Sequence, residues 1–247
     1  DFSEVNEIDG PSFKQRQLVR GGFLSAVTDS GLATLDEYGI KTVIDLRSPN
    51  ETATFPDRLL PQMRYLKIPV FDDDPTSSTM SDKEIKRLYD DDDQFGYNRM
   101  LRSYRKMVID PHAVAAYQDF FEAIITYAED GGILFHCSAG KDRTGMGAVY
   151  LLSVLGVDEK TIRNDYLASN KFLAPWAERE LSKRKLPLEH QEVFLSNLKA
   201  LGSVRESYLN TALTVMQREY GSLEGYLKHE LYLTKQQVKD LKQIYLE

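Results

Sequence analysis

The stretch from Gly131 to Gly156 constrains the fold more than any other part of the chain. It opens with a glycine pair and the apolar run Ile133-Leu134-Phe135, passes through His136-Cys137-Ser138-Ala139-Gly140-Lys141-Asp142, and continues from Arg143 into a nearly unbroken apolar pattern that stops at Gly156. A short apolar run bounded by glycine reads as a buried strand, Gly132 to Phe135. An apolar pattern with no polar face reads as a helix sunk in the core, Arg143 to Leu155. A buried strand that turns directly into a buried helix is the working unit of an open α/β sheet, whose ligands bind at the carboxyl ends of the strands.

The loop between strand and helix carries a chemistry of its own. Five residues separate Cys137, the single cysteine, from Arg143. Turned inward, the backbone N–H groups from Ser138 through Ala139, Gly140, Lys141 and Asp142 to Arg143 can ring an anion at the helix N-terminus, where the helix dipole also favours negative charge. A thiol beneath that ring and beside a guanidinium is expected to react as the thiolate, which can attack phosphorus. Arg143 can hold two phosphate oxygens in a fork and stays charged throughout. Thr144 adds a hydroxyl able to hydrogen-bond the sulfur as it leaves a phosphocysteine.

From His136 to Thr144 the chain matches a His-Cys-(five residues)-Arg-Thr signature, and it resembles the cysteine-dependent protein tyrosine phosphatases. The form Gly140-Lys141-Asp142-Arg143 is similar to one branch, the bacterial tyrosine/lipid phosphatases related to mycobacterial protein tyrosine phosphatase B. Three further segments resemble that branch: Thr42-Val43-Ile44-Asp45-Leu46-Arg47-Ser48 with Glu51, Asp165-Tyr166-Leu167 with Ser169-Asn170, and Tyr220-Gly221-Ser222 with Gly225-Tyr226-Leu227. The resemblance implies a phosphomonoester hydrolase acting on phosphotyrosine proteins and, in part of the branch, on phosphoinositides. It also implies that His136 orients the loop through a hydrogen bond to backbone rather than serving as a proton donor. By analogy with the branch, a helical lid falls within Lys171 to Gly202.

A leaving alkoxide or phenoxide needs a proton, so an acid is expected within about 3 Å of the leaving oxygen. Pro69-Val70-Phe71-Asp72 resembles the segment that bears the family's general acid, with this sequence in place of the usual Trp-Pro-Asp, and Asp73 and Asp74 carry the same group next door. Asp142 is the alternative, placed either to protonate the leaving group or to hold Arg143. Lys141 would set an ammonium at the loop rim, where it can meet a second phosphate that a phosphotyrosine peptide lacks. Asp45 and Arg47 read as a structural pair at the end of the sheet, with Glu51 in the same network.

The remaining histidines, His112, His190 and His229, show no metal-ligand spacing to one another or to Cys137, so the chemistry is expected to need no metal or other cofactor. A net charge of −7 argues against non-specific nucleic-acid binding, which needs a basic field. No apolar run approaches the ~20 residues of a membrane span. Asp1 to Gly10 lacks the basic start and apolar centre of a signal peptide, and a lone cysteine suits the cytoplasm without excluding export. Two other readings use the same residues: an inositol phosphate or phosphoinositide phosphatase, and a phosphate-binding module without turnover.

At 247 residues the chain is expected to form one catalytic domain, 1–247. Lys41 to Leu46 and Arg64 to Val70 read as strands that join Gly132 to Phe135 in a central, mostly parallel sheet flanked by helices. A helix over Ser30 to Tyr38, capped by Asp29 or Ser30, and a strongly amphipathic one opened by Pro111 belong to this first part. Phe71 to Ser81 reads as a loop. After Asp158 the pattern is helical throughout, with a proline break at Leu186 to Leu188 and a capping box at Thr234 and Gln237.

Overall fold

The computed structural model describes residues 12–73, 82–90, 92–173, 176–183 and 186–247. Asp74 and most of the acidic loop read at Phe71 to Ser81 lie outside them. Four strands, β1 (Leu18–Gly21), β2 (Ile40–Asp45), β3 (Arg64–Lys67) and β4 (Gly132–His136), form one sheet in the order β1-β4-β2-β3, with all neighbours parallel. The register sets Val43 beside Leu134, Ile44 beside Phe135 and Asp45 beside His136, and Gly21 also pairs with His136. All four strands therefore deliver their carboxyl ends to one rim.

Burial explains this order. β4 is buried at every residue and lies between two partners, as expected for a strand of continuous apolar sequence. Leu134 joins Ile40, Val43, Met63 and Leu24 in a small core on one face, covered by α1 (Asp29–Glu37). Ile133, Phe135 and Ile44 belong to the large core on the other face. In chain order α2 (Pro49–Thr54), α3 (Asp82–Asp90), α4 (Phe95–Ile109), α5 (Pro111–Thr126) and α6 (Arg143–Leu155) precede an all-helical remainder. That remainder comprises α7 (Glu159–Ala168), α8 (Asn170–Leu173), α9 (Trp176–Ser182), α10 (Leu188–Gly202), α11 (Glu206–Tyr220), α12 (Leu223–His229) and α13 (Lys235–Tyr245).

The fold departs from the sequence reading in a few places, each with a local cause. β1 is an additional strand, too short and too polar on its flanks to show an apolar run. β3 ends at Lys67 rather than Val70 because Pro69 has no N–H to give the ladder, although Ile68 and Val70 still donate to Asp45 O and Leu46 O at 2.8 and 3.2 Å. The cap of α1 is Thr28, whose hydroxyl accepts from Gly31 N, and not Asp29 or Ser30. Within the region expected to hold a lid, α10 is a core element. Phe194, Asn197, Leu198 and Leu201 are buried, and the Asn197 amide accepts from Gly96 N at 2.7 Å while donating to Leu88 O and Asp92 O.

Candidate active site

The last strand residue, His136, hands the chain to the loop Cys137–Asp142, and α6 starts at Arg143. The loop closes on itself because Gly140 adopts φ +67°, a conformation glycine enters without penalty. It also packs against the end of β1: a Cβ on Gly140 would run into the Gly21 carbonyl, and Phe23 N donates to Ser138 O at 3.3 Å. Gly140→Ala is therefore expected to destabilise the protein by about 1–3 kcal/mol, through strain at φ > 0 and collision with backbone. Its turnover should fall with the distorted loop; an unchanged melting temperature and rate would show that the loop shape is not set there.

Cys137 is buried at the base of the loop. Arg143, also buried, is clamped by a residue from another element: Nη1 donates to Glu51 Oε2 at 2.6 Å and Nη2 to Glu51 Oε1 at 2.9 Å. Glu51 is placed by its own helix. Ser48-Pro49-Asn50-Glu51 forms a capping box with proline in the first turn, so Glu51 Oε2 accepts from Ser48 N and Ser48 Oγ at 2.9 Å each, and Ser138 Oγ donates to Oε1. Burial pushes this carboxyl up, but Arg143, Ser138 and Ser48 outweigh it and hold the group at about 2. A phosphate would meet the guanidinium on its other edge, formed by Nε and one Nη. The Tyr117 hydroxyl fixes the backbone beneath by donating to Arg143 O at 3.0 Å.

Glu51 is thus not part of the Asp45–Arg47 network where the sequence reading put it. That network exists without it. Arg47 donates to both Asp45 oxygens, lies 3.0 Å from Asp57 Oδ2, and donates to Phe55 O, while Tyr65 donates to Asp45 Oδ2 at 2.6 Å. His136 joins it from β4, with Nε2 2.9 Å from Asp57 Oδ2 and Nδ1 3.1 Å from Cys137 O. Burial pushes the Asp57 carboxyl up, and His136, Leu24 N and Arg47 draw it below its ordinary value. Asp45, Asp57 and His136 could together ligate a metal ion by proximity, but the Arg47 guanidinium already supplies the positive charge between the two carboxylates. Asp57 gave no signal in the sequence, because its role depends on a loop that returns to the sheet rim.

Lys141 and Asp142 are both buried. The Lys141 ammonium donates to Asp142 Oδ2 at 2.7 Å and to Ser203 O at 3.4 Å, and Tyr104 OH donates to Asp142 Oδ1 at 2.9 Å. The lysine expected at an open rim is therefore turned inward and paired, because the adjacent carboxylate and a backbone carbonyl solvate it better than a half-closed rim would. Glu51 holds the Arg143 guanidinium through both of its carboxylate oxygens, while the Asp142 carboxylate accepts from Lys141 and Tyr104. Thr144 Oγ1 is buried with no partner among the described residues, as a hydroxyl reserved for the sulfur or a ligand would be. Asp72 lies just past β3 with an exposed side chain, and His112 at the start of α5 holds this segment: Nε2 is 2.8 Å from Pro69 O and Nδ1 is 3.6 Å from Asp72 Oδ1.

Across residues 1–247 the chain matches the model of the tyrosine phosphatase family. It is similar to the triple specificity protein phosphatase PtpB of Mycobacterium tuberculosis, with 31% identity over 236 residues that cover 86% of this chain and 84% of the relative. A protein of Cupriavidus necator named as a tyrosine-protein phosphatase is 27% identical over 240 residues, covering 97% and 83%. A tyrosine-protein phosphatase of Nostoc commune is 28% identical over 236 residues, covering 91% and 72%. Among the described residues no helix is long and apolar enough to cross a membrane.

Proposed function

The chain belongs to the tyrosine phosphatase family, and from that premise we propose that it hydrolyses phosphotyrosine through a phosphocysteine intermediate on Cys137. The observation that carries this reading is the clamp on Arg143: a buried guanidinium, six positions after Cys137 at the end of the same loop, is held in one orientation by both Glu51 oxygens. In the first step the thiolate forms an S–P bond as the P–O bond to the leaving group breaks, and Asp72 gives the leaving oxygen its proton. In the second, water attacks phosphorus and gives a proton to the Asp72 carboxylate, the S–P bond breaks, and the Thr144 hydroxyl stabilises the departing thiolate. Ser138, Ala139, Gly140, Lys141, Asp142 and Arg143 supply the backbone cradle throughout. His136 holds the loop by its contact with Cys137 O and its pairing with Asp57.

Phosphotyrosine is favoured over phosphoinositides as the main substrate because the Lys141 ammonium already has two partners, so a second phosphate would have to displace Asp142 or Ser203 O. A panel of phosphotyrosine and phosphoserine peptides, phosphoinositides and inositol phosphates, run on wild type and Cys137→Ser, tests this order. Faster turnover of phosphoinositides than of any phosphotyrosine peptide would reverse it. Asp72→Asn is expected to slow substrates with poor leaving groups about a hundredfold while leaving activated aryl phosphates nearly unchanged, because only the former need the proton. Equal losses on both would remove Asp72 from that role.

A further inference from the structure

Both charged side chains of the phosphate loop are tied to one junction, the turn from α10 into α11. Lys141 reaches it directly at Ser203 O. Asp142 reaches it through two buried phenols: Tyr104 OH donates to Asp142 Oδ1 at 2.9 Å, and Tyr166 OH donates to Tyr104 OH at 2.7 Å. The backbone N–H of Arg205, the cap residue of α11, lies close enough to the Tyr166 oxygen to draw its phenol down against the effect of burial. Neither tyrosine is needed for the chemistry described above.

The proton order along this chain has one consistent direction. Each phenol has a single proton. Burial, and then the charge of Asp142, raises the Tyr104 phenol well above its ordinary value, so that proton stays in place. If Asp142 were the donor, Tyr104 would have to donate to Tyr166, which reverses both observed hydrogen bonds. With the carboxylate as acceptor, the donors run one way: Tyr166 to Tyr104, then Tyr104 and Lys141 to Asp142. Aligned hydrogen bonds of this kind strengthen one another in a dry interior.

We propose that Tyr104 and Tyr166 are positioning residues that act on the reaction through Asp142, holding its carboxylate as an acceptor inside the phosphate loop and leaving the leaving-group proton to a residue outside that loop. The proposal rests on the tyrosine phosphatase reading. It also explains why two tyrosines from separate helices are buried with their hydroxyls, where phenylalanine would fill the same space without needing a partner.

A double-mutant cycle isolates the effect, because Tyr→Phe keeps the ring packing of Tyr104 against Tyr166 (centroids 6.2 Å apart) and Tyr208 (5.7 Å) and removes only the hydroxyl. Tyr104→Phe, Tyr166→Phe, Asp142→Asn and the two combinations with Asp142→Asn are assayed for kcat on a phosphotyrosine peptide, each with its melting temperature. Tyr104→Phe should lower kcat about tenfold, the scale of one hydrogen bond to a charged group, and Tyr166→Phe roughly threefold. In the Asp142→Asn background neither change should move kcat by more than about twofold, since a neutral amide oxygen replaces the carboxylate and a hydrogen bond to it is worth less than one to a charged group. Losses that persist in full in that background would assign the tyrosines a packing role and overturn the proposal, as would folded Tyr→Phe variants with wild-type kcat. If Tyr104→Phe does not fold, the Tyr166→Phe cycle decides alone. A loss in Asp142→Asn that grows steeply with leaving-group pKa would make Asp142 the proton donor and also overturn it. Failure of the underlying reading looks different: the wild type itself would not turn over phosphotyrosine.

Discussion

Cys137→Ser should abolish phosphotyrosine turnover, by on the order of 10⁵-fold, while leaving affinity for phosphate esters within a few-fold of wild type. A serine hydroxyl is a far weaker nucleophile than a thiolate unless a base removes its proton. The adjacent histidine, His136, has one ring nitrogen at Cys137 O and the other at Asp57, so both are already engaged. The cradle and the Arg143 clamp do not involve the sulfur, so they survive the change and the variant should retain substrate. Steady-state kinetics with a phosphotyrosine peptide and calorimetric titration of the same peptide into the variant separate the two effects. Turnover near the wild-type rate would eliminate the phosphocysteine route.

Much of this site could be read from the sequence because its central unit is local. Strand, loop and helix from Gly132 to Leu155 follow one another without a break, so the positions of Cys137 and Arg143 relative to the sheet follow from periodicity and from five intervening residues. The same holds for the cap of α13 at Thr234 and Gln237 and for the helix opened by Pro111. What could not be read depends on contacts between distant segments. Glu51 reaches Arg143 across 92 positions, and Tyr104 reaches Asp142 across 38. The sequence around Glu51 did contain a usable signal, since Ser-Pro-Asn-Glu is a capping box that fixes the glutamate's backbone. The direction of its side chain was settled only by the packing of α2 beside the loop. Lys141 shows a second limit of the sequence: a cation in a phosphate loop reads as standing at the rim, yet its ammonium is paired with the adjacent Asp142.

Glu51→Gln is expected to cost about 10³-fold in kcat/KM, the scale for losing a preorganised group that stabilises transition-state charge, although Glu51 never touches substrate. The glutamine amide offers one acceptor where the carboxylate offers two, and its N–H₂ then faces an Arg143 donor, so the guanidinium is released from its fixed orientation. Glu51→Ala goes further and leaves Arg143 buried without its carboxylate, which should destabilise the fold by about 3–5 kcal/mol. An independent check comes from pH. The Glu51 carboxyl lies at about 2 in the folded protein against an ordinary value of 4.5, so its contribution is fully present above pH 4.5 and is lost as pH falls toward 2. That difference corresponds to about 3 kcal/mol. Urea denaturation between pH 6 and pH 2 should therefore show wild-type stability falling through this window more steeply than that of Glu51→Gln, which has nothing to titrate at position 51. Parallel curves, or a Glu51→Gln variant with wild-type kcat/KM, would mean that the clamp on Arg143 is not what holds the phosphate loop ready.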